Sequence, residues 1–353
     1  MSSAHRTRAT GPLRHLRWIV GLVISAIAIY IAFVGVDWRA VRSALREAHY
    51  GLLLAALPIL FIFITMRAQR WRMLFPDRRL RLLSTFGALN IGYMAGAILP
   101  LQLGEIARVY VLSEAEQIKT AHVFSTVIVE RVLDVFALLA ILAVLIPFVA
   151  LPEAAAITAL ITMVGFTCVA LVLVIAVVDR PRVQRWIDRL SRLLPARFRE
   201  AAVRWGESLL DGLSVLRNPR VLLYACFWTF ASWMTSSVVI YLVLRAFSLD
   251  VPFAAAPFLL VATTFGFFVP SSPGAIGVYH AISIRTLTTV FSVPHDSAAS
   301  YALVAHAIYL IPPTLLGACF FWWHHLSLRR LQSLADDSAA TELKISETSP
   351  PAS

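Results

Sequence analysis

The chain has 353 residues, of which 59% are hydrophobic and only 14% charged, whereas soluble domains run at about 25% charged. That balance excludes a soluble enzyme and specifies an all-α integral membrane protein. The net charge of +11 comes almost wholly from arginines gathered in particular loops, a pattern of membrane orientation and not of nucleic-acid binding.

A spanning helix needs about 20 apolar residues to cross roughly 30 Å of hydrocarbon. Residues 1–17 are basic, with Arg6, Arg8, Arg14 and Arg17, and are expected in the cytoplasm. The apolar stretch 18–36 is longer than a signal-peptide core and reads as an uncleaved first span. The segment 37–49 is expected as an amphipathic helix on the outer interface, because Trp38, Val41, Leu45 and Tyr50 are spaced to share a face. Further spans are expected at 50–66, 126–150, 155–178, 221–244 and 300–323. Two other apolar regions are broken in the middle. Residues 82–112 are interrupted from Pro100 to Glu105, and residues 254–291 by Ser271-Ser272-Pro273-Gly274.

Loop charge sets the parity of these crossings. Residues 67–81 hold six arginines against Asp77, and residues 179–220 hold ten arginines against five acids, so both loops are expected inside. Two spans separate Lys119 from the second loop, which places Lys119 inside as well. Residues 82–112 must then cross an even number of times, as must 254–291. The expected architecture is about six through-spans plus two Pro/Gly-broken re-entrant hairpins, or eight spans if the hairpins are full crossings. It forms one transmembrane domain, 18–323, with both termini in the cytoplasm. The loop 179–220 is expected to carry an amphipathic helix with Trp186, Leu190, Leu193 and Leu194 among its arginines, ended by Pro195. Anionic lipid headgroups are its natural partners. The tail 324–353 has the composition of a disordered segment. Cys168, Cys226 and Cys319 lie in apolar runs without metal or disulfide spacing and read as buried small hydrophobes.

The halves 18–150 and 155–323 each read span, span, broken hairpin, span, in opposite orientation. The breaks align, Pro100-x-x-x-Gly104-x-Ile106 against Pro270-x-x-x-Gly274-x-Ile276. Inverted repeats with paired Gly/Pro breaks mark a midplane site in transporters.

Several residues in these regions are chemically out of place in hydrocarbon, where a charge costs roughly 2.5–3.5 kcal/mol. Glu105 and Arg108 share a helix face. They form either a headgroup site or an interfacial salt bridge. Glu130, Arg131 and Asp134 fall within five residues of an apolar span, with Glu130 and Asp134 on one face; counting from Thr120 places Glu130 about 15 Å along the helix. They form either a site or an interfacial anchor, and Arg108 is expected to meet this acidic face. Ser271, Ser272 and Gly274 offer hydroxyls and free amides to an anion at a helix start, or are a simple turn. Tyr279, His280 and Arg285 suit a cavity wall, and Asn90 and Tyr93 are weaker members of the same set. Arg67, Arg70, Trp71 and Arg72 read mainly as a positive-inside anchor with Trp71 at the headgroup belt, and His306 as a bonded packing residue. There is no P-loop, dinucleotide-binding glycine pattern, nucleophile elbow or H-E-x-x-H, so no cofactor is expected.

The segments ILPLQLGEIARVYVL, STVIVERVLD and FVPSSPGAIGVYH resemble the lysylphosphatidylglycerol synthase transmembrane region, or flippase-like, family. The likeness runs over nearly the whole chain and implies a multispan inner-membrane protein that moves or presents lipids; with no nucleotide or metal site in the sequence, the chain is not expected to be an enzyme. The resemblance carries Glu105, Arg108, Glu130, Arg131 and Asp134 across as site positions. The expected activity is a flippase for a charged or phosphate-bearing lipid, whether aminoacylated, polyprenyl-linked or hopanoid. The alternative is a non-transporting accessory subunit of a lipid, glycolipid or hopanoid biosynthetic enzyme.

Overall fold

The computed structural model describes residues 26–99, 103–149, 179–192, 217–266 and 273–323, with isolated positions elsewhere. Helix α1 is described over residues 26–33. It is followed by α2 (Trp38–Glu47), α3 (Tyr50–Met73), α4 (Leu82–Ile98), α5 (Leu103–Glu116) and α6 (Thr120–Leu145), which ends in a 3-10 turn at Ile146–Phe148. Then come α7 (Arg180–Ser191), α8 (Pro219–Ala246), α9 (Ala255–Gly266), a 3-10 turn at Pro273–Ala275, α10 (Val278–Val290) and α11 (His295–Trp323). Among the described residues α3, α6 with its turn, α8 and α11 are long and apolar enough to cross a membrane. Of the other two expected spans, 18–36 is described mainly from residue 26 and 155–178 only at scattered helical positions.

The broken regions fold as hairpins. At 1.5 Å per residue the 17 residues of α4 reach about 26 Å and the 14 of α5 about 21 Å. Each arm is shorter than the hydrocarbon layer, as is the 12-residue α9. The breaks themselves, 100–102 and 267–272, fall outside the described residues.

Four described elements of one half have counterparts in the other. Tyr50, Leu82, Leu103 and Thr120 open the helices of the first half where Pro219, Ala255, Pro273 and His295 open those of the second. The equivalent helices α3 and α8 run antiparallel along each other. The His49 N–H donates to Ala246 O at 2.8 Å, and Arg70, at the other end of α3, reaches Thr229 near the start of α8 at 3.0 Å. Packing elsewhere is also paired: α3 on α4 as α8 on α9, α5 on α6 as α10 on α11, and α4 on α11 as α9 on α6. An antiparallel pair of equivalent helices is what an inverted repeat requires.

Local chemistry sets the helix ends. The Asp37 carboxylate accepts the Arg39 N–H at 2.8 Å and caps α2. Asn218 caps α8 in the same way, with Pro219 in the first turn, where its missing N–H costs nothing. Helix α2 buries Val41 but leaves Trp38 and Tyr50 each 57% exposed, so these two do not share its buried face. Helix α7 stops at Ser191, ahead of Pro195, with Trp186 and Leu190 exposed; Leu193, Leu194 and Pro195 lie outside the described residues. Apolar side chains such as Leu54, Phe61, Leu223, Phe227 and Leu315 point outward from the long helices, as lipid-facing surface does. The three cysteines are exposed too, contrary to the buried positions expected. A lipid-facing position and a core position are equally apolar in sequence.

Two glycines set the closest approaches to a neighbouring backbone among the described residues. A Cβ on Gly104 would lie 2.3 Å from the Gly92 carbonyl oxygen, so α4 and α5 touch backbone to backbone. A Cβ on Gly317 of α11 would lie 2.3 Å from the Asn90 carbonyl oxygen and 2.7 Å from Met94 Cβ. Gly317→Ala is expected to cost about 1–3 kcal/mol by overpacking. Its thermal midpoint in detergent should fall, whereas Gly51→Ala, which meets nothing within 4 Å, should leave the midpoint unchanged or raised.

Candidate functional site

Three helices bring their charges to one place, and a fourth adds two neutral hydrogen-bonding side chains. Arg70, fully buried on α3, donates from Nη1 to Asp134 Oδ1 at 2.5 Å and from Nη2 to Glu130 Oε1 at 2.9 Å, both on α6. The same Nη1 reaches Thr229 Oγ1 on α8 at 3.0 Å. Arg108 on α5 takes the other oxygen of Glu130 at 2.7 Å and, through Nε, Glu105 at 2.7 Å. Arg131 pairs with Glu105 and lies 3.7 Å from Asp134. Trp233 Nε1 on α8 donates to Asp134 at 3.1 Å. Glu130 and Asp134 therefore do face one way, as their i,i+4 spacing requires, and Arg108 meets that face at Glu130.

The network has a dry end and an open end. Side chains of Arg70 and Glu130 are sealed, while those of Arg131 and Glu105 are 43% and 32% exposed. Arg67 sits at the edge of the acids. It makes one bond, to Asp134 at 3.3 Å, and lies over the rings of Phe63 and Trp233 at 5.8 and 5.4 Å, with its Nε lacking an acceptor. The network joins four guanidiniums, Arg67, Arg70, Arg108 and Arg131, to three carboxylates, so one positive charge is left over. Beneath Arg108, 4.9 Å away, is the ring of Trp71, which bonds Thr126 at 3.0 Å. Trp71 belongs to an apolar cluster with Leu74, Phe75 and Leu80. Beyond Phe75 and Leu80 a cavity of about 450 Å³ is lined by Arg72, Arg78 and Arg79.

A second group of polar residues gathers at the other hairpin. His306 on α11 lies 2.9 Å from the Gly274 carbonyl oxygen through Nε2 and 3.4 Å from His280 Nε2 through Nδ1. His280 Nδ1 in turn accepts the Gly277 N–H at 3.3 Å, and Tyr279 stacks on His306 at 4.8 Å. Both groups rest against α4: Gly92 abuts Arg108, and a Cβ on Gly274 would come 3.8 Å from Ala97 O. Five residues of helix separate those contacts, about 7.5 Å along the axis. Ser271 and Ser272 lie outside the described residues. Asn90 is fully buried and bonds its own helix at Phe86 O, 2.8 Å away, with its Oδ1 unsatisfied. Arg285 is exposed, whereas Tyr279 and His280 are buried.

Sequence reasoning misplaced Arg67, Arg70 and Trp71. They are buried members of the network and not a loop anchor with an interfacial tryptophan. Ending the span at Met66, before the first charge, hid this; helix α3 runs on to Met73. The signal was present, since Arg67 and Arg70 are three apart on an apolar helix, the same argument that singled out Glu130 and Asp134. Thr229 and Trp233 carried no such signal. Removing one partner of a buried ion pair costs about 3–5 kcal/mol, against at most about 1 kcal/mol for an exposed one. Arg70→Ala should therefore lower the detergent thermal midpoint far more than Arg131→Ala, and adding Glu130→Gln to Arg70→Ala should recover part of the loss.

The chain is similar to a UPF0104 membrane protein of Methanothermobacter thermautotrophicus, 27% identical over 300 residues that cover 79% of this chain and 87% of that protein. It is also similar to Glycosyltransferase AglD of Haloferax volcanii, 22% identical over 330 residues, or 84% of this chain and 52% of that protein. No solved structure matches it. The family Lysylphosphatidylglycerol synthase TM region matches residues 18–317, nearly the whole set of helices described above, and the chain belongs to that family.

Proposed function

We propose that this protein moves a lipid with an anionic, phosphate-type headgroup across the bilayer. One observation supports this reading above the others: a buried network of four arginines and three acids, open at Arg131 and Glu105, with a positive charge in excess. An ion-pair cluster built for anchoring alone has no need of that excess. A headgroup phosphate would supply the missing negative charge and take two hydrogen bonds from a guanidinium, the strongest geometry for such an anion. Arg108 and Arg67 are the arginines placed to give them, with Glu105, Glu130, Arg131 and Asp134 holding them in register. Gly274 and His280, with Ser271, Ser272 and Asn90, would line the second side of the path, while the acyl chains stay in lipid. The cavity at Arg72, Arg78 and Arg79 suits the headgroup's approach, and α7 suits anionic headgroups at the surface. The role is not catalytic in this reading, since each of the three acids is already paired with arginine and none is free to serve as a base.

A second reading draws on the likeness to a glycosyltransferase over 52% of that protein's length. In it the helices present a lipid-linked substrate to a partner biosynthetic enzyme without moving it. The two readings separate in proteoliposomes. With labelled anionic lipids and external dithionite, transport predicts loss of inner-leaflet label well above that of empty vesicles. It also predicts that Arg108→Ala and Glu130→Gln abolish this while the protein still inserts. Tight lipid binding without acceleration would favour presentation. In the proposed orientation, with both termini in the cytoplasm, a reporter fused after Arg204 reads cytoplasmic; an external reading would reverse the whole topology.

A further inference from the structure

The two histidines at the second hairpin form a chain of hydrogen bonds with only one self-consistent arrangement of protons. The Gly277 N–H points at His280 Nδ1, so that nitrogen is an acceptor and carries no proton. A neutral His280 then holds its proton on Nε2, which faces His306 Nδ1. His306 Nδ1 accepts, so its proton is on Nε2, which faces the Gly274 carbonyl. The protons are assigned from this bonding pattern. Each of the four ring nitrogens has one partner and one role. The chain starts at the backbone of Gly277, passes through α10 and α11, and ends at the backbone of Gly274, both glycines having positive φ. It thereby ties the break of the second hairpin to α11.

We infer that the His280–His306 pair is a proton-binding site whose loading releases the second hairpin from α11. An added proton has two places to go, and each destroys a bond. On His280 Nδ1 it sets an N–H against the Gly277 N–H; on His306 Nδ1 it sets an N–H against His280 Nε2–H. Both rings are buried, so the displaced donor has no water at hand to replace the lost acceptor. Imidazole, with an ordinary pKa of about 6.5, is the side chain that takes up a proton most readily on mild acidification. The groups facing the pair do not offset the charge. From α10 there is Tyr279, stacked on His306, with Tyr301 of α11 as its own neighbour; from α1, the ring of Phe33, 5.5 Å from His280. Helix α9 has no titratable side chain, and the one on α4 is Tyr93. Among the described residues no carboxylate is paired with either ring.

The consequence for transport rests on the function proposed above: acidification on the side from which the hairpin is reached would free it, and lipid movement would follow the proton gradient. Hydrogen exchange on the full chain in liposomes tests the site independently of transport. After correction for intrinsic rates, backbone protection across residues 274–282 should fall at least fivefold between pH 7.5 and pH 4.0. In the double variant His280→Gln, His306→Gln it should be the same at both values. Constant protection in the wild type, or the same fall in the variant, overturns the proposal. If the double variant fails to fold, nitrogen-15 shifts of the wild-type rings decide. Both rings should be unprotonated at Nδ1 and protonated at Nε2 at pH 7.5; the other tautomer on either ring overturns the bond chain. In the dithionite assay, wild-type movement should change at least fivefold over the same pH range. Movement that proceeds at a constant rate overturns the coupling and leaves lipid transport standing. No movement at any pH defeats the transport reading, with the exchange result still deciding the site.

Discussion

A guanidinium inside hydrocarbon has to be answered by an anion or by water, and Arg70 is sealed from solvent. Its three polar partners lie on α6 and α8, so its own helix, α3, is held against both. Arg108 then draws α5 to the same acid from the opposite side, through the second oxygen of Glu130. One carboxylate thus fixes the first hairpin relative to the pair of antiparallel helices between the halves. Hydrophobic burial cannot do this work, because between helices in lipid there is little hydrophobic gain to be had. Packing and polar pairing decide the arrangement, and here the polar pairing is concentrated in one cluster.

The glycine contacts complete that constraint. Gly104 lets α5 lie against α4 closely enough for Arg108 to leave the hairpin near its tip, and Gly317 lets α11 approach the other side of α4. Helix α4 carries no charge, yet it is the wall shared by the ion-pair cluster and the histidine pair. A shift of α4 by a fraction of a turn would disturb both groups together.

Much of this was legible in the sequence and some was not, for separable reasons. The hairpins were visible because proline and glycine interrupt otherwise apolar stretches, and loop arginines count crossings. Glu130 and Asp134 were visible because charges are rare in spans. Arg70 was equally visible by type but was lost by position, since a span drawn to end at its first charge assigns that charge to the loop. Thr229 and Trp233 were invisible: a threonine or tryptophan in a transmembrane helix is ordinary, and only the tertiary arrangement shows that each faces the network. The cysteines were misassigned because hydropathy does not distinguish a side chain facing lipid from one facing a neighbouring helix.

The correspondence of the two halves has a further consequence. Under the alignment of the breaks, Glu105 of the first hairpin falls opposite Ala275 of the second, and Arg108 opposite Val278. The frame is duplicated but the charge is not. A membrane voltage acts on charge alone, and the two hairpins present it differently: the first carries the Glu105–Arg108 ion pair at these positions, the second only Arg285, farther along α10. Any exchange of roles between the two arms is then an electrically unequal step, and its direction is biased by the potential across the bilayer.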